Sequence, residues 1–285
     1  MSAGWNIDKV KTWCISLDRR TDRYDRMVKQ QEIKKLPNFT KFSGIDGQTL
    51  DIKTDTRVST LCRYNILNNT RRSHDLLDTI GGVGCALSHI TLWQNLVKSN
   101  DNVFFIVEDD LVLKPGDWEK VRQLYLQNKW LQDSNSWDFW SVGNLKCIPA
   151  DKNITRENKF VFCKEFMGFN SYFISRRGAE KVLKEAFPIQ HHIDWFVSLY
   201  GQTHSDFKIV YNKSFNLDQD PLLLEKEWSD IRTKDHCHIC NVPSDYENMY
   251  TMVSKNSISA NTVITVVALG ILYAGVFAAR KQKLF

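Results

Sequence analysis

Hydrophobic and polar positions along the first 216 residues follow the two periods of strand and helix in alternation. Residues 10–17 (VKTWCISL) are apolar and β-leaning and predict a first strand. Residues 18–31 are strongly charged and helix-compatible, with Asp18 or Thr21 near the cap. Residues 39–45 predict a second strand, closed by the turn pair Asp46-Gly47. Residues 49–80 are polar and read as a long loop with room for one short helix; loops of this length often carry function. Residues 81–98 begin on glycines and continue as a helix with Ala86, Ile90, Trp93 and Val97 at helical spacing. The unbroken apolar run 103–107 (VFFIV) predicts a central strand buried on both faces. Further helices are expected over 118–128, 177–187 and 192–200, and strands over 137–142, 160–166, 171–175 and 207–211. This alternation implies an α/β sandwich.

The pattern then changes. Residues 217–255 are polar and read as a covering segment or a stalk. Residues 256–279 contain no charge, and 263–279 (VITVVALGILYAGVFAA) are followed by Arg280, Lys281 and Lys283. At ~1.5 Å rise per residue such a run crosses the ~30 Å hydrocarbon core, whereas a buried core helix would show a polar face. The expected organisation is an α/β domain over 1–216, a polar segment over 217–256, and a C-terminal transmembrane helix with a basic flank over 257–285. The positive-inside rule would put the basic flank in the cytosol and the large domain across the membrane. The first thirteen residues lack the apolar core of a signal peptide, so a tail inserted after translation, with a cytosolic domain, is the expectation.

Composition excludes several classes. With 42% hydrophobic and 12% aromatic residues in 285, the chain has ample material for a core and is not disordered. Lys plus Arg number 38 against 33 Asp plus Glu, a net +5, and three of those charges belong to the basic flank. No basic stripe is interleaved with aromatics, so no nucleic-acid partner is expected. Seven cysteines leave at least one thiol unpaired, and Cys14 and Cys85 sit in apolar runs; a reducing compartment is the simplest reading. The sequons at Asn38, Asn68, Asn153 and Asn212 point the other way. Cys237 and Cys240 have metal-site spacing without a second pair, so two unpaired thiols are the default.

The sharpest chemistry is Glu108-Asp109-Asp110 at the end of the buried strand. Ligands of open α/β sheets bind at the carboxyl ends of the strands. Three crowded carboxylates repel one another unless cations balance them, and hard oxygen donors suit Mg²⁺ or Mn²⁺. Strand alternation would put Glu108 and Asp110 on one face and Asp109 on the other.

Six blocks in order resemble glycosyltransferase family 25. They are Ile15-Ser16-Leu17-Asp18-Arg19-Arg20-Thr21-Asp22-Arg23, Gly44-Ile45-Asp46-Gly47, Gly84-Cys85-Ala86-Leu87-Ser88-His89, Glu108-Asp109-Asp110, Ser171-Tyr172-Phe173-Ile174-Ser175 with Gly178-Ala179, and Ile193-Asp194. The resemblance implies a GT-A-like nucleotide-diphospho-sugar transferase sandwich. It also implies a UDP-hexose donor (galactose or glucose), a divalent metal, usually Mn²⁺, and transfer with inversion. The implied acceptor is a glycan, a hydroxylysine-bearing protein or a lipid-linked sugar. By the same resemblance Glu108 and Asp110 are the metal ligands. Ser16, Asp18, Arg19, Arg20, His89 and Asp109 face the donor, and Arg23 is the most solvated of the three arginines. Asp194 is the general base for the acceptor hydroxyl. The chain departs from the family pattern at Gln190-His191-His192, where the proline before the hydrophobic-Asp pair is missing, and one of these histidines is a further candidate ligand. A catalytically silent, membrane-anchored binding protein of the same family is the alternative reading.

Overall fold

The strand at the centre of the molecule shows how the rest is layered. In the computed structural model, which describes residues 4–70, 76–143, 146–150, 159–220 and 230–231, β3 (Val103–Glu108) alternates strictly between two cores. Phe104 and Ile106 point into one, and Val103, Phe105 and Val107 into the other. That is why the run carries no polar position until Glu108: both faces are covered. It lies between β1 (Lys11–Ser16), which it pairs in parallel, and β8 (Ser171–Ser175), which it pairs antiparallel.

The remaining strands are β2 (Phe39–Ser43), β4 (Leu111–Val112), β5 (Phe139–Ser141), β6 (Lys146–Pro149), β7 (Phe160–Met167), β9 (Ile209–Asn212) and β10 (Asp218–Gln219). Eight of the ten described strands form one mixed sheet in the order β2-β1-β3-β8-β5-β9-β7-β6, and β4 pairs with β10 apart from it. Helices α3 (Ile80–Lys98), α5 (Arg176–Val182) and α6 (Ile193–Thr203) bury Trp93, Val182 and Val197 against the Phe104 face. Helices α1 (Thr21–Lys29) and α4 (Asp117–Gln127) bury Met27, Trp118 and Val121 against the Phe105 face. The expected α/β sandwich is therefore present, with helices on both sides of a large mixed sheet.

Local chemistry sets the helix starts. Thr79 caps α3 by accepting from Gly82 N (3.1 Å), and Ser175 caps α5 by accepting from Gly178 N (3.0 Å). The long polar loop does contain one short helix, α2 (Thr60–Asn68), capped by Ser59. The charged helix expected over 18–31 is shorter. Arg20 is its N-cap, and it ends at Lys29 because Gln30 turns aside to bond Leu111 O (2.9 Å) and Leu113 N (2.8 Å). A 3₁₀ turn, Gln31–Lys35, then swings Ile33 inward. The helix expected over 177–187 stops at Val182.

Two corrections concern the outer part of the chain. Leu217, where the sequence places the start of a polar covering segment, is buried, and its N–H bonds Val142 O (2.6 Å). Residues 217–220 thus continue the domain, and β10 brings Gln219 to the cleft described below. Among the described residues no helix is long and apolar enough to cross a membrane; the run 263–279 lies outside them. The second correction is redox state. Cys147 on β6 and Cys163 on β7 form a disulfide, against the expectation of reduced thiols, while Cys14, Cys62 and Cys85 are free. Disulfides persist in oxidising compartments.

Asp138, fully buried before β5, ties three elements: it accepts from Arg177 Nε (2.9 Å), Lys181 Nζ (3.2 Å) and Lys208 N (2.7 Å). Removing one partner of a buried charge cluster leaves the others uncompensated. Asp138→Ala is expected to lower unfolding free energy by about 3 kcal/mol, measured by urea denaturation at constant m-value.

Candidate functional site

The cleft opens at the carboxyl ends of β1 and β3, where a parallel pair of strands presents its loops on one side. Four segments build it: the β1–α1 turn, the Ile45–Gln48 turn, the start of α3, and the acidic end of β3. They meet because α3 comes unusually close to the second of them. A Cβ on Gly84 would lie 2.4 Å from Ile45 O, so only glycine permits the contact. Ser88 locks it, accepting from Ile45 N (2.8 Å) and donating to Gly84 O (2.7 Å). The resulting cavity has a volume of about 150 Å³.

The acidic run does not continue the strand. β3 ends at Glu108, and Asp109 and Asp110 form a turn. The face alternation expected from the sequence therefore stops at Glu108, and both aspartates approach one cation. Arg23 Nη2 lies 2.5 Å from Asp109 Oδ1 and 3.8 Å from Asp110 Oδ2. Gln219 Nε2 donates to Asp110 Oδ2 (2.6 Å). Asp110 Oδ1 is buried without a hydrogen-bond partner among the described residues. Burial, and secondarily the charge of Glu108, push the Asp110 carboxyl up to about 7. Burial also raises Asp109, against the pull of Arg23. An orphaned buried carboxylate oxygen beside a second carboxylate is the donor arrangement that a hard divalent cation satisfies.

Glu108 is held from behind. Trp93 Nε1 donates to Tyr172 Oη (2.9 Å), Tyr172 Oη lies 2.8 Å from His89 Nδ1, and His89 Nε2 lies 3.1 Å from Glu108 Oε1. An ionised carboxylate only accepts, so His89 Nε2–H donates to Glu108, while Tyr172 Oη, which takes the indole N–H, holds His89 Nδ1 from the other side. Burial alone would raise the Glu108 carboxyl; the hydrogen bond and charge of His89 outweigh it and leave it below the usual range. Cys85 Sγ joins His89 and Glu108 in a cluster within 4.8 Å. Burial pushes the Cys85 thiol up.

Arg19 and Arg20 line the opposite wall. Arg19 Nε bonds Asp46 Oδ2 (2.6 Å), and Arg20 bonds Asp22 (3.0 Å). Both also reach Asp230, at 2.8 Å from Arg19 Nη2 and 2.6 Å from Arg20 Nη1.

A second cavity of about 280 Å³ adjoins the first and shares Cys85, Glu108, Gln219 and Ile231 with it. Asp194 lines it, next to Trp195 and Asn170. The Asp194 carboxylate is fixed by two backbone amides, Gly168 N on Oδ2 (2.9 Å) and Trp195 N on Oδ1 (2.8 Å). One lone pair on each oxygen stays available.

The structure thus brings Ser16, Arg19, Arg20, Glu108, Asp109 and Asp110 to one cleft and Asp194 to the adjoining one. Two sequence candidates fall elsewhere. Asp18 points outward and pairs with Lys41 (2.9 Å) and Ser43 (3.0 Å). His89 is fully buried in mid-helix and positions Glu108 instead of facing the cavity. Arg23 reverses its expectation: its side chain is 12% exposed and paired with Asp109. Gln219 and Asp230 carried no sequence signal, since each arrives from a remote polar segment. His192 lines the second cavity, and His191 lies in a separate groove.

A model of the family described as Glycosyltransferase family 25 (LPS biosynthesis protein) matches residues 9–197. A protein named Glycosyltransferase 25 family member from Anopheles gambiae is 24% identical over 171 residues, covering 51% of this chain and 28% of that protein. Procollagen galactosyltransferase 1 of Danio rerio is 27% identical over 179 residues, covering 61% of this chain and 28% of that protein. The lipooligosaccharide biosynthesis protein lex-1 of Haemophilus influenzae is 28% identical over 201 residues, covering 62% and 64%. The chain spans under a third of the length of the mosquito and zebrafish relatives.

Tyr172→Phe leaves the buried Trp93 N–H and His89 Nδ1 without partners. It is expected to cost about 2 kcal/mol of stability, read as a lowered midpoint in urea.

Proposed function

The chain belongs to glycosyltransferase family 25, and from that premise we propose that it transfers a hexose, galactose or glucose, from a UDP-sugar to an acceptor hydroxyl with inversion at the anomeric carbon. The single observation that carries the reading is the Glu108–Asp110 pair, with the orphaned buried Oδ1 of Asp110, facing arginine forks across one cleft. Glu108 and Asp110 would hold the divalent cation, Mn²⁺ or Mg²⁺. When bound, that ion supplies charge neutralisation that makes the nucleoside diphosphate a better leaving group.

The chain's own residues do the rest. Arg19 and Arg20 present planar N–H forks, the geometry that grips diphosphate oxygens. Arg23 offsets Asp109, so that burial of three carboxylates does not expel the anionic donor. His89, aligned by Tyr172, fixes the Glu108 rotamer. Asp194, in the second cavity, takes the proton of the acceptor hydroxyl as that oxygen bonds the anomeric carbon and the sugar–phosphate bond breaks, the bonding pair leaving with UDP. The two cavities meet at Glu108, which suits a donor on one side and an acceptor on the other.

The acceptor in this proposal is a glycan, a hydroxylysine-bearing protein or a lipid-linked sugar, and the apolar run 263–279 anchors the enzyme to a membrane. The Cys147–Cys163 disulfide supports a catalytic domain on the oxidising side, the orientation that leaves Arg280, Lys281 and Lys283 in the cytosol.

Screening UDP-sugars for Mn²⁺-dependent hydrolysis tests the reading directly. Asp110→Asn is expected to abolish metal-dependent turnover while the circular dichroism spectrum stays unchanged; undiminished turnover would sink the metal assignment. Asp194→Asn is expected to slow transfer by about 10²–10⁴-fold at unchanged UDP affinity, the range for loss of a general base. A loss of UDP binding in that variant would place Asp194 on the donor instead.

A further inference from the structure

The arginine forks of the donor cleft are already engaged, and by the chain itself. Asp230, 210 positions from Arg20, places one carboxylate oxygen on each arginine, at 2.8 Å from Arg19 Nη2 and 2.6 Å from Arg20 Nη1. This is the two-pronged contact expected of an oxyanion ligand such as a phosphate. The next residue is fastened too: Thr79 Oγ1 donates to Ile231 O (2.9 Å) from the cap of α3. Asp230 and Ile231 both line the first cavity, and Ile231 also lines the second.

The seat for these two residues is specific. A Cβ on Gly81 would lie 1.9 Å from Asp230 O and 2.9 Å from its carbonyl carbon, and the third-nearest atom is Ile231 Cα at 3.5 Å. The missing methyl is thus the space that the Asp230 backbone fills. With the two residues in place the cavity is about 150 Å³. That is below the ~300–1,000 Å³ of pockets that take drug-sized ligands. Charge points the same way. Arg19, Arg20 and Arg23 face Asp22, Asp46, Glu108, Asp109 and Asp110 even before Asp230 is added. A further carboxylate opposes an incoming polyanion.

We propose that Asp230 is an intramolecular competitor for the donor diphosphate: it holds the Arg19–Arg20 forks in the ligand-free chain, and the segment 230–231 must leave its Gly81 seat for a nucleoside diphosphate to bind. This rests on the donor reading above for the identity of the ligand. The arginines are kept ordered and their charge satisfied while the cleft is empty, and donor affinity is set by the difference between two anions at one site.

The test is calorimetric titration of the full chain with pyrophosphate in Mg²⁺. Two variants act on the contact by different physics. Asp230→Asn removes the competing charge, and Gly81→Ala displaces the segment while leaving every charged group intact. Each is expected to bind pyrophosphate about tenfold more tightly than the parent chain, the scale of one charge-assisted hydrogen bond lost by the competitor. The double variant is expected to bind no tighter than the tighter single. Equal or weaker binding by Asp230→Asn, or unchanged binding by Gly81→Ala, overturns the proposal, as does an absence of pyrophosphate binding in all chains. UDP with Mn²⁺ is titrated in parallel. Pyrophosphate behaving as expected while no chain binds UDP would overturn the uridine-donor reading and leave the competitor role standing.

Discussion

Three consecutive carboxylates at the end of a strand buried on both faces set the terms for everything around them. Within a low-dielectric cleft their repulsion is large, and each needs an answer. The chain supplies three different ones. Glu108 receives a proton donor, His89, whose orientation is fixed by Tyr172 and Trp93 from the core side. Asp109 receives a full positive charge from Arg23. Asp110 receives a neutral amide from Gln219 and only the far reach of Arg23 (3.8 Å) on one oxygen, and its other oxygen has no partner among the described residues. The least compensated carboxylate is the one with the highest proton affinity, and that imbalance is the part of the site that chemistry with a cation would resolve.

The same constraint explains how the scaffold is arranged. The residues that neutralise the acids come from α1, α3, β8 and β10, so all four must be registered against the end of β3. Register with β8 is set by a five-residue antiparallel ladder, and Glu108 N adds a bond to Asn170 O (2.8 Å) beyond its end. Register with α3 is set by the glycine contact at Gly84 and the Ser88 clasp. Arg176, just after β8, reaches across to the far end of α3 and donates to the carbonyls of Val97 (2.7 Å), Ser99 (2.6 Å) and Asp101 (2.6 Å). The helix that carries His89 is thereby fixed at both ends.

Much of this was legible in the sequence where local pattern dictates structure. The VFFIV run, the glycine-led α3 and the strand 171–175 are where periodicity and length place them, because burial on both faces or one leaves a strong signature. The acidic cluster was legible as a candidate site because three carboxylates at the end of an apolar strand repel one another unless something balances them. What periodicity could not reach depends on distant partners. Arg23 reads as one more charge on a charged helix, and only the turn at Asp109-Asp110 makes it an internal counter-ion. His89 reads as a donor contact from its position in a motif, but the hydroxyl of Tyr172, 83 residues later, makes it a support. The two-residue ladder of β4 and β10 is too short for any period to show, and with it Gln219 was invisible. The pairing of Cys147 with Cys163 depends on the hairpin of β6 and β7, and β6 is a strand too short and irregular to read ahead of the structure.

The strand order carries a consequence for synthesis. β3 sits between an early neighbour, β1, and a late one, β8. As the chain leaves the ribosome, β1, β2 and β3 can assemble, but the second edge of the most apolar strand stays open until residue 175 has emerged. At ~5–20 residues per second this interval lasts several seconds. Throughout it, five unbroken apolar residues offer unpaired backbone groups to any passing strand, the configuration that seeds misassembly. The open edge of β3 is therefore the part of the nascent chain with most to gain from shielding during translation.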